Sequence, residues 1–177
     1  MMLPEDLIES ARKVVEAHRA AGTRVAVAES CTGGLVAGAL TAIPGASDVL
    51  EASIVSYSNE AKKALLGVHD DLLDTFGAVS VATAWAMAQG VLSRTDADVG
   101  VAITGIAGPT GGSDKKPIGH VVFARAYRDG DPDDVKADSR DFGDLGRDEI
   151  RHQAALCALE LLLPDEGADT PAPAPAP

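Results

Sequence analysis

The stretch VAVAESCTGGLVAGALT, residues 25–41, decides the fold of this chain. A short β-branched run, Arg24 to Ala28, stops at an acid, a serine, a cysteine, a threonine and two glycines. A segment rich in alanine and leucine, Thr32 to Thr41, follows at once and has the composition of a helix. The pattern predicts a strand that turns directly into a helix, with small nucleophile-capable side chains at the turn.

The rest of the chain alternates in the same way between helix and strand patterns. Helices are predicted over 5–21, 59–66, 81–92 and 147–162, with a short one closed by Gly77, and strands over 49–58, 98–105, 120–127 and 134–142. This alternation predicts the α/β class, as a three-layer α/β/α sandwich around one sheet. A short turn joins the last two strands, which predicts that the sheet is mixed.

One domain is expected over residues 1–163. A chain of 177 residues suits a single domain that buries a real core. After Pro164 the sequence DEGADTPAPAPAP is acidic and then rich in proline and alanine. That composition predicts an extended, solvated tail over residues 164–177.

Composition places the chain among soluble globular proteins, with 46% hydrophobic and 24% charged residues. No apolar run approaches the roughly 18 residues that a membrane span needs. The first 22 residues are amphipathic and carry acids, unlike a signal or transit peptide. Two cysteines, Cys31 and Cys157, make no disulfide framework and fit a reducing compartment. A cytoplasmic location, with no membrane partner, is therefore expected.

Charge and motif content exclude two further classes of function. A net charge of −12 and an aromatic content of 3% argue against a nucleic-acid partner, although a local positive pocket for a small anion remains compatible with them. The four histidines are scattered, and neither H-E-x-x-H nor C-x-x-C occurs. The sequence therefore predicts chemistry that needs neither a metal nor a cofactor.

Ligands of open α/β sheets gather beyond the carboxyl ends of the strands. Three loops follow strands here, at residues 29–34, 57–62 and 105–119. In the first, Ser30 comes just before a helix whose N-terminal N–H groups can hold an oxyanion. A simpler interpretation is that Ser30 or Thr32 only caps that helix. Two glycines in the first turn favour close approach of a ligand, because each costs roughly 1 kcal/mol in helix propensity.

Tyr57 and Lys62 occupy the second loop and the first turn of the helix that follows it. The helix dipole disfavours an ammonium there, but by less than one pKa unit. Lys62 would therefore need burial as well to act as a base, and taken alone Lys62 and Lys63 resemble solvated helix lysines.

The third loop, GIAGPTGGSDKKPIG, contains five glycines. It matches neither the phosphate loop nor the dinucleotide fingerprint. Ser113 and Lys116 fit S-x-x-K spacing, but the surrounding glycines and Pro117 disfavour the helical turn that this pair requires. The loop is predicted to wrap a ligand with backbone N–H groups.

Several blocks, taken in order, resemble one known family: VAVAESCTGGLVAGALTAIPGAS, SIVSYSNEAKKALLGV, GAVS and AITGIAGPTGGSDKKPIGHVVFA. The family is the C-terminal domain of the competence/damage-inducible protein CinA, and the resemblance covers about residues 5–162. It indicates the stand-alone form of this domain, without the larger N-terminal domain of CinA. Active members are nicotinamide-nucleotide amidohydrolases of the PncC type.

The resemblance implies deamidation of nicotinamide mononucleotide (NMN) to nicotinate mononucleotide and ammonia. By motif match, Ser30 is the nucleophile, Lys62 is the base and Tyr57 accompanies them. Cys31 is a rival nucleophile, which we expect to point into the core. A homo-oligomer is also implied. The residues expected to contact the substrate are Glu29, Thr32, Gly33, Gly34, Asn59, Gly105, Ala107, Gly108, Gly111 and Gly112.

A second function, from a different class, remains open at this point. Domains of this family also occur in proteins named for competence and DNA damage. The chain would then be a nucleotide-sensing or partner-binding module without turnover. The presence of Ser30, Tyr57 and Lys62 together favours the enzyme, because a binding module has less reason to keep a nucleophile and a base.

Overall fold

Five strands form one mixed sheet in the computed structural model, which describes residues 3–164. The strands are β1 (Val25–Glu29), β2 (Leu50–Val55), β3 (Val99–Gly105), β4 (His120–Tyr127) and β5 (Lys136–Asp141). Their order is β2-β1-β3-β4-β5, with β1 parallel to both neighbours and the last two pairs antiparallel. The predicted mixed sheet is confirmed. The predicted tail lies outside the described residues from residue 165 onward.

Helices cover both faces of the sheet, which confirms the three-layer sandwich. They are α1 (Glu5–Ala21), α2 (Leu35–Thr41), α3 (Asn59–Leu66), α4 (Asp70–Phe76), α5 (Val81–Ser93) and α6 (Arg147–Leu162). Side chains of α1, α2 and α6 share one core cluster, and those of α3, α4 and α5 share the other. Among residues 3–164, no helix is long and apolar enough to cross a membrane.

Side-chain size differs between the two faces of the central strands. In β1, Val25 and Val27 belong to the first cluster, and Ala26 and Ala28 belong to the second. The small residues let α5 lie close to the sheet, since a Cβ atom added at Gly100 would stand 2.9 Å from the carbonyl oxygen of Ala88. Large and small side chains therefore alternate along the strand, so that one face of the sheet carries the larger residues and the other lets α5 approach closely.

The predicted start of the second helix is wrong by three residues. Helix α2 begins at Leu35, and the residues from Cys31 to Gly34 form a turn ahead of it. Gly33 has φ +60° and Gly34 has φ +93°, conformations that L side chains rarely adopt. The turn itself therefore requires these two glycines, whether or not a ligand approaches them.

The parallel strands bring their carboxyl ends to one edge of the sheet. Ser30 N–H donates to the carbonyl oxygen of Ile103 at 2.9 Å, which ties the first turn to β3. Ser56 N–H donates to the carbonyl oxygen of Glu29 at 2.8 Å, which ties the end of β2 to β1. The three loops predicted to gather there begin at this shared edge.

Candidate active site

Ser30 and Lys62 meet in the interior, although 32 positions separate them in sequence. Lys62 Nζ lies 3.0 Å from Ser30 Oγ and 3.0 Å from the carbonyl oxygen of Ser56. Ser30 is 7% exposed and Lys62 is 1% exposed. The end of β1 supplies the hydroxyl and α3 supplies the amine, so the pair predicted from separate loops is brought into direct contact.

The packing of α3 explains why Lys62 points inward. Ser58 caps the helix by accepting a hydrogen bond from Ala61 N–H, and Gly67 ends it with φ +71°. On the other side α3 lies against α5 so closely that a Cβ atom at Gly90 would stand 2.1 Å from the carbonyl oxygen of Leu66. The Lys62 side chain therefore points from α3 toward the end of the sheet, where its amine lies beside Ser30 and Ser56.

Burial changes the acid–base behaviour of Lys62. Desolvation lowers the pKa of its amine from the usual 10.5, because the charged form loses water that no carboxylate replaces within residues 3–164. Neutral Lys62 can accept the Ser30 hydroxyl proton and still donate to Ser56. The neighbouring Lys63 shows the contrast, since its ion pair with Asp70 at 2.8 Å raises the pKa of Lys63.

Cys31 belongs to the apolar core, as expected. Its side chain is 4% exposed and packs within the cluster beneath α2 and α6. Desolvation raises the pKa of the thiol to about 11, so the thiol is protonated at neutral pH. A buried, protonated thiol is a poor nucleophile, so the geometry favours Ser30 over Cys31 as the candidate nucleophile of this turn.

The N-terminus of α2 does not offer its N–H groups to a ligand. The Glu29 carboxylate accepts hydrogen bonds from the N–H groups of Gly34, Val36 and Ala37 at 2.9, 3.2 and 3.0 Å, and from Ser53 Oγ at 3.1 Å. Glu29 is 0% exposed. The structure therefore corrects two expectations: these helix N–H groups bind Glu29 rather than an oxyanion, and Glu29 holds the turn rather than the substrate.

Other backbone donors remain beside Ser30. The N–H groups of Cys31 and Thr32 donate to no oxygen acceptor within the described part of the chain, and that of Cys31 interacts only with its own thiol. The turn is closed by Gly33 N–H, which donates to the carbonyl oxygen of Ser30 at 3.1 Å. Thr32 is 0% exposed and its Oγ1 also lacks a partner among the described residues.

A pocket of about 260 Å³ opens over Ser30. It is lined by Ser30, Cys31, Tyr57, Gly105, Ile106, Ala107, Gly108, Thr110, Gly111 and Arg147. Four residues of the glycine-rich loop that were expected to contact the substrate are thus in place. Gly112 instead lines an adjoining groove of about 600 Å³, and Asn59 is exposed at the start of α3. Thr32, Gly33 and Gly34 follow Ser30 in the turn and do not line this pocket.

Arg147 and Tyr57 form the rim of this pocket. Arg147 Nη2 donates to the Tyr57 hydroxyl at 2.6 Å, and Nη1 donates to the carbonyl oxygen of Gly108 at 2.8 Å. Tyr57 is 58% exposed, and within residues 3–164 no hydrogen bond joins it to Lys62. Arg147 was not among the site residues predicted from the sequence. A cation at the first position of a helix opposes the dipole, and this was the available signal.

Arg151, one turn further along α6, was also missed. Its Nε donates to the carbonyl oxygen of Cys31 at 3.1 Å, and its Nη2 donates to that of Thr32 at 3.0 Å. Helix α6 therefore contacts both the pocket rim and the turn that follows Ser30. Among residues 3–164, no group of three or more histidine, cysteine, aspartate or glutamate side chains is arranged to hold a metal ion.

Comparison with known proteins agrees with this architecture. A CinA-like protein of Anaeromyxobacter sp. (strain K) is 50% identical over 150 residues, which is 84% of this chain and 35% of the relative. This chain thus spans about a third of the length of that relative. The crystal structure of the competence/damage inducible protein CihA from Agrobacterium tumefaciens has a TM-score of 0.87 and 48% identity, covering 92% of this chain and 96% of that one.

A more distant structure has the same fold. The competence-damaged protein (CinA) superfamily protein ECK1530/EC0983 from Escherichia coli has a TM-score of 0.82 at 33% identity, covering 92% of this chain and 93% of that one. The family model of the CinA C-terminal domain matches residues 8–165. Fold, motifs and relatives agree, and the chain belongs to the CinA C-terminal domain family.

Proposed function

We propose that this chain is a nicotinamide-nucleotide amidohydrolase that converts NMN to nicotinate mononucleotide and ammonia. The observation that carries the proposal is the buried contact of 3.0 Å between Ser30 Oγ and Lys62 Nζ. A desolvated amine beside a hydroxyl is the arrangement that nucleophilic catalysis by serine needs. The choice of NMN rests on the likeness of the site motifs to those of the amidohydrolases in this family.

In the first half of the reaction, the substrate acylates Ser30. Ser30 Oγ forms a bond to the carboxamide carbon while its proton moves to Lys62 Nζ and the carbonyl oxygen becomes an oxyanion. The carbon–nitrogen bond then breaks. Lys62 transfers its proton to the departing nitrogen, which leaves as ammonia, and an ester to Ser30 remains.

In the second half, water hydrolyses the ester. A water molecule attacks the ester carbon and gives a proton to Lys62 Nζ. The bond to Ser30 Oγ breaks, Lys62 returns the proton to that oxygen, and nicotinate mononucleotide leaves. The amine thus acts as base and acid in turn, and its lowered pKa suits both roles.

The rim of the pocket suits the anionic end of the substrate. Arg147 contributes a guanidinium whose bonds to Tyr57 and Gly108 use two of its five N–H groups. The remaining donors match a phosphate, which guanidinium groups bind well. On this arrangement the pyridine ring enters toward Ser30 and the phosphate stays near Arg147.

The decisive experiment incubates the purified protein with NMN and measures ammonia together with nicotinate mononucleotide. We expect equal amounts of both products from the wild type and none from Ser30→Ala. Nicotinamide riboside, which lacks the phosphate, should be a much poorer substrate. Binding of NMN without any product would contradict the proposal and favour the nucleotide-sensing module instead.

A further inference from the structure

In the turn that begins at the proposed nucleophile (residues 30–34, the nucleophile turn), the carbonyl groups of Ser30, Cys31 and Thr32 each accept a hydrogen bond. The Ser30 carbonyl oxygen accepts the hydrogen bond from Gly33 N–H at 3.1 Å. The next two carbonyl oxygens, of Cys31 and Thr32, accept from the Arg151 guanidinium at 3.1 and 3.0 Å. Each of the three peptide groups that follow Ser30, Cys31 and Thr32 therefore has a fixed carbonyl direction.

A fixed carbonyl also fixes the N–H group of the same peptide. In a trans peptide the C=O and N–H bonds point in opposite directions. The Cys31 N–H group therefore points away from the bonded Ser30 carbonyl, and the Thr32 N–H group points away from Arg151. Neither of these two N–H groups donates to an oxygen atom among residues 3–164.

The N–H groups at the start of α2, which could otherwise bind an oxyanion, already donate to Glu29. Glu29 occupies the N–H groups of Gly34, Val36 and Ala37 at the start of α2. Of the N–H groups of Cys31 and Thr32, that of Cys31 belongs to a residue that lines the pocket beside Ser30. It is also adjacent in sequence to the nucleophile, where a donor can reach the oxygen of a carbonyl under attack.

We propose that Arg151 is a positioning residue for the oxyanion site. Its guanidinium holds the Thr32 carbonyl, whose peptide carries the Gly33 N–H group that bonds the Ser30 carbonyl, and it thereby fixes Cys31 N–H toward the reacting carbonyl oxygen. This inference rests on the proposed serine mechanism. Arg151 never touches the substrate on this account. It acts from α6, 120 positions away in sequence, by holding two successive carbonyls with Nε and Nη2.

Arginine suits this task better than lysine. A planar guanidinium presents parallel N–H bonds in a fixed fork, whereas an ammonium is a point charge on a flexible stem. Its positive charge also lies at the carbonyl end of the turn, where it increases the polarity of the peptide groups that face the pocket.

The test compares Arg151→Gln and Arg151→Lys with the wild type and with Arg12→Gln, an exposed site on α1. Three quantities are measured: kcat and KM for NMN, the dissociation constant of nicotinate mononucleotide, and the rate at which a fluorophosphonate labels Ser30, followed by intact mass. We expect kcat and the labelling rate to fall together, by about 10- to 100-fold in Arg151→Gln, with product affinity within about twofold of wild type.

Arg151→Lys protects the test against misfolding, because it keeps the charge and most of the packing. We expect its kcat and labelling rate to lie between those of wild type and Arg151→Gln, with a melting temperature close to that of wild type. Unchanged kcat and labelling in both variants would overturn the inference. So would a loss of product affinity as large as the loss of kcat, because that result indicates a collapsed pocket.

The labelling rate separates this inference from the proposed function. It reports the reactivity of Ser30 toward a reagent that forms a tetrahedral centre, whatever the natural substrate is. Wild-type protein that is labelled but releases no ammonia from NMN refutes the proposed substrate, while the ratio of labelling rates between Arg151→Gln and wild type still decides the role of Arg151.

Discussion

Lys62 shows how position alone changes a residue's chemistry. The sequence places two lysines side by side on α3, and their environments are opposite. Burial lowers the pKa of Lys62, while the ion pair with Asp70 raises the pKa of Lys63. At this scale the candidate site consists of one amine whose pKa is lowered by burial and one hydroxyl 3.0 Å away.

The pH dependence of turnover should report the titration of Lys62. The neutral amine is the active form, so kcat/KM should rise with pH through the lowered pKa and level off below pH 10.5. Initial rates of ammonia release across a pH series measure it. Lys63→Ala should leave the profile unchanged, and a profile that is flat or that still rises at pH 10.5 would refute the role of Lys62.

Removal of either partner of the pair should stop catalysis. We expect Ser30→Ala and Lys62→Ala each to lower kcat by about 10³-fold or more, and the double variant to be little worse, because the two groups act as one unit. Single-turnover kinetics with NMN measure the effect. Cys31→Ala should retain most activity, since the Cys31 thiol is buried and protonated at neutral pH. An active Ser30→Ala with an inactive Cys31→Ala would move the nucleophile by one residue.

At the scale of the elements, two helices position the site. Helix α3 carries Lys62 and is held against α5, where Gly90 leaves no room for a Cβ atom beside Leu66. Helix α6 supplies Arg147 to the pocket rim and Arg151 to the nucleophile turn. The strands place Ser30, and the helices place the groups that act on it.

Gly90→Ala should disturb both stability and catalysis. The new methyl group would lie 2.1 Å from a backbone carbonyl, so α3 must move away from α5 and carry Lys62 with it. We expect a loss of about 1–3 kcal/mol in the free energy of unfolding, as for other overpacked cores, together with reduced kcat. Urea denaturation and NMN turnover measure the two effects.

Gly38→Ala provides the matched control. Gly38 also lies in a helix, but a Cβ atom there meets only Leu3 Cδ1 at 3.9 Å, an ordinary contact. We expect this variant to gain about 0.5–1 kcal/mol from helix propensity and to keep wild-type turnover. Equal behaviour of the two variants would show that close packing of α3 on α5 is unimportant.

At the scale of the whole molecule, two separate cores share one sheet. One lies beneath α1, α2 and α6, and the other lies beneath α3, α4 and α5. His18 joins the ends of the first layer: its Nε2 lies 2.6 Å from the carbonyl oxygen of Leu162, and its Nδ1 lies 2.8 Å from Thr23 Oγ1. The neutral ring satisfies both contacts, with Nε2–H donating and Nδ1 accepting.

Acid should weaken this junction. Burial lowers the pKa of His18 below 6.5, so the unfolded chain binds the proton more readily than the folded one. Stability should therefore hold above pH 6.5 and fall below it, by as much as about 1.4 kcal/mol per pH unit until the lowered pKa is reached. Urea unfolding at pH 7.5, 6.5 and 5.5 measures the slope.

Comparison of His18→Gln with His69→Gln isolates the contribution of His18. His69 is exposed ahead of α4, so its replacement should leave the slope as in the wild type. His18→Gln should flatten the slope. An identical pH dependence in all three proteins would show that His18 does not control acid stability.

The sequence by itself determined the order of helices and strands, the mixed sheet and the two residues, Ser30 and Lys62, that meet in the candidate site. Strand and helix periods are local properties, and Val25 to Ala28 or Val81 to Ser93 carry them without reference to the rest of the chain. Parallel strands place their carboxyl ends together, so the loops around Ser30 and Lys62 could be expected to meet. The resemblance to the family rests on short motifs, each of which lies around a single loop.

Only the tertiary structure decided where the donors and cations of the site lie. The sequence assigned the N–H groups at the start of α2 to an oxyanion, and the folded chain gives them to Glu29. It gave no partner to Arg147, which reaches Tyr57 at the pocket rim from 90 positions away, or to Arg151, which reaches the carbonyl oxygen of Cys31 from 120 positions away. Local pattern encodes which face of an element is buried, but which distant backbone group a side chain meets depends on how the layers pack.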